Sequence, residues 1–305
     1  LPLQVIADFP LSHGPNRFDY QSLDPQTRLL FIAHSGASIV TIFDTASMKV
    51  VADIAGITDV HGVLAAPDLG LVYAEATGVN QVDVISEQTH AVVARIPVGD
   101  APDGMAYDPT DHKLFVSDEQ SQNEAVIDTR TNKRIAYIPI GGNVGATAYD
   151  PVSHHILVEA EKLNQLVVID PTTVRITGRH DLPGCQDSQS LLIDAQQDLV
   201  FVGCETNSVL LMVDLKSMHV LSTQPVGSGP DLMALDSGWH YLYVTSESGV
   251  VSVFDEQART LRKLSEGYVA VGAHTVAVDP ITHYIYLPLQ NVNGTSILRI
   301  ALFHP

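Results

Sequence analysis

The sequence predicts an all-β protein, a ring of seven four-stranded sheets. Three observations predict it. Short apolar runs such as IVTIF, QVDVI, LVVID and VVSVF recur between Gly, Pro, Asp and Asn, and helix-type periodicity is hard to find. A turn signal repeats at positions 24, 66, 108, 150, 194, 236 and 279, a period of 42 to 44 residues. Four strand-like segments fit each period, the spacing of β-propeller blades.

The elements follow in order around each turn. Asp24-Pro25, Ala66-Pro67, Asp108-Pro109, Asp150-Pro151, Asp194-Ala195, Asp236-Ser237 and Asp279-Pro280 join a first strand to a second. The second strands read LLFIA, LVYAE, LFVSD, ILVEA, VFVGC, YLYVT and IYLPL. The third read VTIFD, VDVIS, AVIDT, LVVID, LLMVD, VSVFD and ILRIA. Six units continue into a fourth, such as VVADI, VVARI and RIAYIPI, while the seventh stops after its third. LPLQVIAD, ahead of the first unit, reads as the missing outer strand. It would close the ring and remove a free sheet edge. One domain over 1–305 is expected, with blades near 10–57, 58–99, 100–142, 143–184, 185–229, 230–269 and 270–305, the last completed by 1–9.

Composition bounds the function. The 305 residues are 45% hydrophobic, enough for a sizeable core. The net charge is −19 with only 16 Lys and Arg, none clustered, so a phosphate backbone finds no partner and a cation is favoured as ligand. No apolar run is long enough for a membrane helix. The chain opens LPLQVIADF, as a mature chain would, and a secreted or periplasmic location is expected. Cys185 and Cys204 fall at one end of the blade 5 hairpin. A bridge between them would fit an oxidising compartment, and free thiols or a soft metal site are the alternatives. Asn293-Gly-Thr295 is a glycosylation sequon.

Aligning the blades gives a ring of paired positions: Asp19 with His34, His61 with Glu75, Asp103 with Asp118, Gly145 with Ala160, Gln189 with Cys204, Asp231 with Ser246, and His274 with Leu289. In an unbroken ladder each pair faces across the hairpin, with Cβ atoms about 5 Å apart. The first members begin the innermost strands and should rim one mouth of the central channel. Blades 7, 1, 2 and 3 are rich in His and carboxylate, and blade 4 offers only Gly and Ala. His61, Glu75 and His274 are the catalytic candidates. Asp19, His34, Glu75, Asp103 and Asp118 are the metal candidates. Arg17, Gln189 and Asp231 are the substrate-binding candidates. Imidazole with carboxylate suits Zn²⁺, and carboxylate with carbonyl or water suits Ca²⁺ or Mg²⁺. Alternatively, Glu75 orients His61 as a metal-free general base. Glu119, Glu161, Glu205 and Glu247, one residue beyond the ring, are expected by period-2 alternation to face away from it. The remaining histidines are expected in turns and outer strands.

Blades 3 and 6, KLFVSDEQSQNEAVID and YLYVTSESGVVSVFD, resemble the YVTN-repeat propeller family over essentially the whole chain. His61-Gly-Val63 followed by Glu75 resembles the catalytic blade of streptogramin-B-lyase-like propellers. That likeness implies a catalytic His and Glu beside a bound Mg²⁺. His274 in AHTVAV matches the His of their seventh blade, and Leu289 replaces the acid. GCQDSQSLLI is similar to the Gly-Cys-His segment of 6-phosphogluconolactonase-like propellers, with Gln186 in place of the His. Neither site is complete, so neither substrate is carried over.

The expected function is therefore a metal-assisted hydrolase or lyase on a small cyclic ester or lactone-like substrate, lying over blades 4 and 5. The alternatives are a non-catalytic ligand- or protein-binding propeller, and a redox protein holding copper on the His cluster. A small-molecule ligand is expected, with neither nucleic acid nor membrane insertion. No G-x-S-x-G nucleophile, phosphate-cradling glycine loop or haem motif is present.

Overall fold

The repeated Asp residues explain their own periodicity. In a computed structural model describing residues 1–305, each one caps its turn through the side chain. Asp24 accepts from the Gln26 N–H at 2.7 Å, and Asp108, Asp150, Asp194, Asp236 and Asp279 do the same two residues on at 2.8 to 3.0 Å. A carboxylate so bonded mimics a turn of backbone, which is why Asp recurs where a strand must reverse. The same turns end in left-handed residues, among them His112, His154, His240 and His283. Histidine tolerates that conformation better than most side chains. Four of the thirteen histidines are thus accounted for by these Asp-capped turns.

The strands form seven antiparallel four-stranded sheets in chain order. Second and third strands are almost wholly buried, as their unbroken apolar runs require, while an outer strand such as Arg175–Asp181 alternates outward and inward. Seven apolar clusters hold the ring, each drawn from two successive blades. Phe115, Val126 and Ile138 of blade 3, for example, pack on Ile156, Val158 and Val167 of blade 4. No blade buries its faces alone, so the ring is the cooperative unit.

Closure is as expected. Leu3–Pro10 pairs with Thr295–Phe303 as the outer strand of blade 7, and Arg299 grips Asp8 through two nitrogens at 2.8 and 2.7 Å. The chain must then cross from the outer rim of blade 7 to the innermost strand of blade 1. Residues 11–20 make that crossing without being a strand. Blade 1 starts late, at Gln21–Asp24, and blade 7 keeps only Ala277–Val278 as its inner strand. Irregular backbone therefore lines the channel mouth at blades 7 and 1. Cys185 and Cys204 are joined as a disulfide, Cα to Cα 5.4 Å.

Candidate functional site

Innermost strands of the regular blades share one defect that the sequence reading did not foresee. In blade 2, Val60 pairs with Ala76 but Val63 pairs with Ala74, so His61 and Gly62 share a β-bulge. The same extra residue occurs at Asp103-Gly104, Gly145-Ala146, Gln189 and Asp231-Leu232. A bulge re-aims the side chain it carries. It turns His61, Asp103, Gln189 and Asp231 into a cavity at the channel mouth, of about 500 Å³ including its opening. Arg17, Asp19 and Tyr20 of the crossing segment complete the wall, and no residue of blade 4 lines it.

The bulges shift the register, so Asp103, Gly145, Gln189 and Asp231 no longer face Asp118, Ala160, Cys204 and Ser246, and Glu75 lies opposite the His61-Gly62 bulge. Glu75 is fully buried below the mouth and accepts from the Gly104 N–H with both oxygens, at 3.0 and 2.9 Å. Its oxygens lie where a side chain at Gly62 would be, only 2.0 Å from an added Cβ, so Gly62 makes room for the acid. Burial, then the charge of Asp103, drives Glu75 well above the usual carboxylate range. It does not orient His61. Asp118 faces Pro102 in the ladder rather than Asp103 and packs against Gly99. Burial lifts it to about 7. His34 is sealed off by the crossing segment. The Phe18 ring stacks on it at 4.2 Å, both its nitrogens lack partners, and burial lowers it to about 4. Asp19, His34, Glu75, Asp103 and Asp118 therefore do not form one donor set. Nor do His34, His61 and His274 converge as a copper site would require.

His61 finds other partners. Its Nδ1 lies 3.5 Å from Asp103 Oδ2 and 4.0 Å from Asp19, and its Nε2 lies 3.7 Å from Asp59. Burial works against the imidazolium, but Asp103 foremost, then Asp19 and Asp59, raise it to about 9. Burial, reinforced by Asp103 and Asp231, raises Asp19 to about 8. Both shifts run upward, His61 because carboxylates surround it and Asp19 because it is buried among other acids.

The tightest constellation lies across the mouth. His274, fully buried, approaches the Phe18 carbonyl through Nε2 at 2.8 Å. A carbonyl only accepts, so Nε2 carries the hydrogen. Nδ1 then faces Asp231 Oδ2 in a short contact and Glu247 Oε1 at 3.4 Å. These three atoms lie within 4.8 Å of one another. Burial opposes the His274 imidazolium, and Asp231 more than offsets it. The backbone is pinned too, since Thr245 Oγ1 donates to the His274 carbonyl at 2.6 Å. The donor set is chemically suited to a divalent ion: one imidazole nitrogen, two carboxylates, and the second ring nitrogen anchored on a carbonyl, as metal-ligating histidines usually are. Arg17 Nη2 stands beside all three donors, 2.8 Å from Glu247, 3.4 Å from His274 Nδ1 and 3.9 Å from Asp231.

Glu247 is the residue that sequence reasoning placed wrongly. Alternation was extended one residue too far, because the second strand of blade 6 ends at Ser246 and Glu247 opens the turn. Glu205 likewise follows the last strand residue, Cys204, and lines the cavity. Glu119 instead accepts from Asn143, and Glu161 is buried. The readable signal was Glu-Ser-Gly after YLYVTS, a turn rather than a strand.

The chain matches no protein-family model and no curated protein sequence. Solved structures share its fold. Hydrazine synthase of Kuenenia stuttgartiensis is 17% identical over 94% of this chain and 96% of that one, with a TM-score of 0.81. Virginiamycin B lyase of Staphylococcus aureus is 12% identical over 99% and 100%, also at 0.81, and the RRP9 WD40 repeats are 12% identical over 99% and 100%, at 0.80. At these identities the likeness is one of architecture, and this chain is a seven-bladed β-propeller.

Proposed function

We propose that the channel mouth is the active site of a metal-assisted hydrolase or lyase acting on a small polar cyclic ester or lactone-like substrate. One observation carries the reading: His274 Nδ1, Asp231 and Glu247 converge, with His274 Nε2 anchored on the Phe18 carbonyl so that Nδ1 is the nitrogen an ion would take in place of its proton. These three residues would hold the ion, and the nitrogen ligand favours a borderline ion such as Zn²⁺ over Ca²⁺. When bound, such an ion polarises a carbonyl as a Lewis acid. His61 stands in the same cavity already protonated, so its role is general acid rather than base. In ester cleavage the acyl–oxygen bond breaks, the leaving oxygen takes the His61 proton, water supplies the acyl hydroxyl, and the remaining water proton returns to His61. Asp103 keeps His61 charged, and Gln189 and Glu205 offer polar contacts on the open side. The Cys185–Cys204 bridge supports a secreted or periplasmic location. YVTN-repeat membership remains part of this proposal.

The test is a panel of lactones and aryl esters with chelator-treated protein, before and after Zn²⁺ or Mg²⁺ is restored. Metal-dependent turnover that His61→Gln lowers by about 100-fold is expected. No turnover across the panel overturns the catalytic reading.

A second reading, a non-catalytic binding propeller, has one observation in its favour. An open, largely apolar groove crosses blades 2 to 4 at the opposite end of the inner strands, lined by Leu64, Pro67, Met105, Tyr107, Tyr149 and Pro151 among others.

A further inference from the structure

The cation place among Asp231, Glu247 and His274 is already taken by a cation of the chain itself. The Arg17 guanidinium reaches all three donor groups through one nitrogen, Nη2, and its Nε lies 3.6 Å from Asp19. We propose that Arg17 is a resident competitor: its side chain fills the cation site in the resting protein, and a divalent ion enters by displacing it. The inference rests on the cation-site reading above and adds how that site is loaded.

Three features support exchange rather than a permanent ion pair. First, the Arg17 side chain is 45% exposed, so moving it into water strips little burial from the protein. Second, only the Glu247 contact, at 2.8 Å, is of ordinary hydrogen-bond length. The approach to His274 is 3.4 Å and to Asp231 3.9 Å, so the guanidinium satisfies the trio incompletely. Third, the backbone stays behind. The Arg17 carbonyl accepts from the Gly36 N–H at 3.1 Å and from Ser35 Oγ at 3.2 Å. An added Cβ on Gly36 would come within 2.8 Å of Asn16 Cβ, so glycine is what lets the crossing segment dock there. The side chain can leave while its anchor holds.

The arrangement has a physical reason. Two carboxylates face the His274 ring here, and a single imidazolium does not balance both charges. A tethered guanidinium holds them together until an ion arrives. Its place in the chain follows from topology, since residues 11–20 alone cross from the closing outer strand to the first inner strand.

The test is Mn²⁺ titration, followed by electron paramagnetic resonance of the free ion, on wild-type protein, Arg17→Met and Arg17→Met/His274→Ala. The neutral variant should bind Mn²⁺ at least tenfold more tightly than wild type, and the double variant should lose that gain. Equal or weaker binding by Arg17→Met overturns the competitor role and leaves the cation site standing. Absence of Mn²⁺ binding in both wild type and Arg17→Met overturns the cation site and the competitor together.

Discussion

The buried imidazole of His274 donates through Nε2 to the carbonyl of Phe18, 2.8 Å away on the segment that closes the ring. This bond joins blade 7 to the crossing segment and fixes which nitrogen of His274 faces the acids. Substitution by Leu removes it and leaves a buried carbonyl unpaired. His274→Leu should lower unfolding stability by about 1–3 kcal/mol, read as a fall in urea midpoint with unchanged m-value. An unchanged midpoint would mean that the bond holds nothing.

His61 should titrate far above an ordinary histidine. Burial pulls it down, and Asp103, with Asp19 and Asp59, raises it to about 9. Asp103→Asn removes the strongest raising partner. NMR titration of the His61 ring protons should show the midpoint falling towards neutrality in the variant. A midpoint near 6.5 in wild type would remove the general-acid role.

Alkaline pH should loosen the ring. Between blades 1 and 2, Glu87 meets Asp24 across Thr27, whose Oγ1 lies 2.9 Å from Asp24 and 3.2 Å from Glu87. Burial, then Asp24, raises Glu87 to about 7. Between blades 5 and 6, burial and Asp194 raise Glu256 to about 8. Both folded values lie above the unfolded one. Their stabilisation is therefore complete below the unfolded value and is lost as pH climbs through 7 and 8. Urea midpoints should fall between about pH 6 and pH 9, and fall less in Glu87→Gln/Glu256→Gln. An equal fall in that variant would clear these two contacts.

Cys185–Cys204 closes a short loop within blade 5, with a sequence separation of 19. Tethering a loop of this size restricts the unfolded chain by about 3 kcal/mol. The double Ser variant should lose about that much in chemical denaturation while keeping its far-ultraviolet circular dichroism. No loss would assign the bridge no role in stability.

The ring itself was legible because its cause is local and repeated. Asp24, Asp108, Asp150, Asp194, Asp236 and Asp279 each cap a turn two residues on, so the period is written in residue types. The closing strand could be read from a simple deficit, three strands in blade 7 and one spare at the start. Site geometry was less legible. At the His61-Gly62 bulge Glu75 turns beneath Gly62 to the Gly104 N–H and not to His61, and nothing in the spacing announces a bulge. Glu247 was misplaced because alternation stops when a strand stops, and the strand ends at Ser246. Asp231 and His274 were both identified, yet their contact joins the inner-strand start of blade 6 to that of blade 7. His274 lies outside the inner strand of blade 7, which is cut to Ala277–Val278, and Asp231 sits on the bulge of blade 6, so neither position follows strand alternation.

Metal content tests the central claim most directly. Wild-type protein purified without a His tag, loaded with Zn²⁺, freed of unbound ion by gel filtration and analysed by elemental mass spectrometry should carry about one equivalent per chain. His274→Ala and Asp231→Ala should carry none, and His61→Ala should keep its ion. An ion-free wild type after exposure to Zn²⁺, or full occupancy in His274→Ala, would contradict the site.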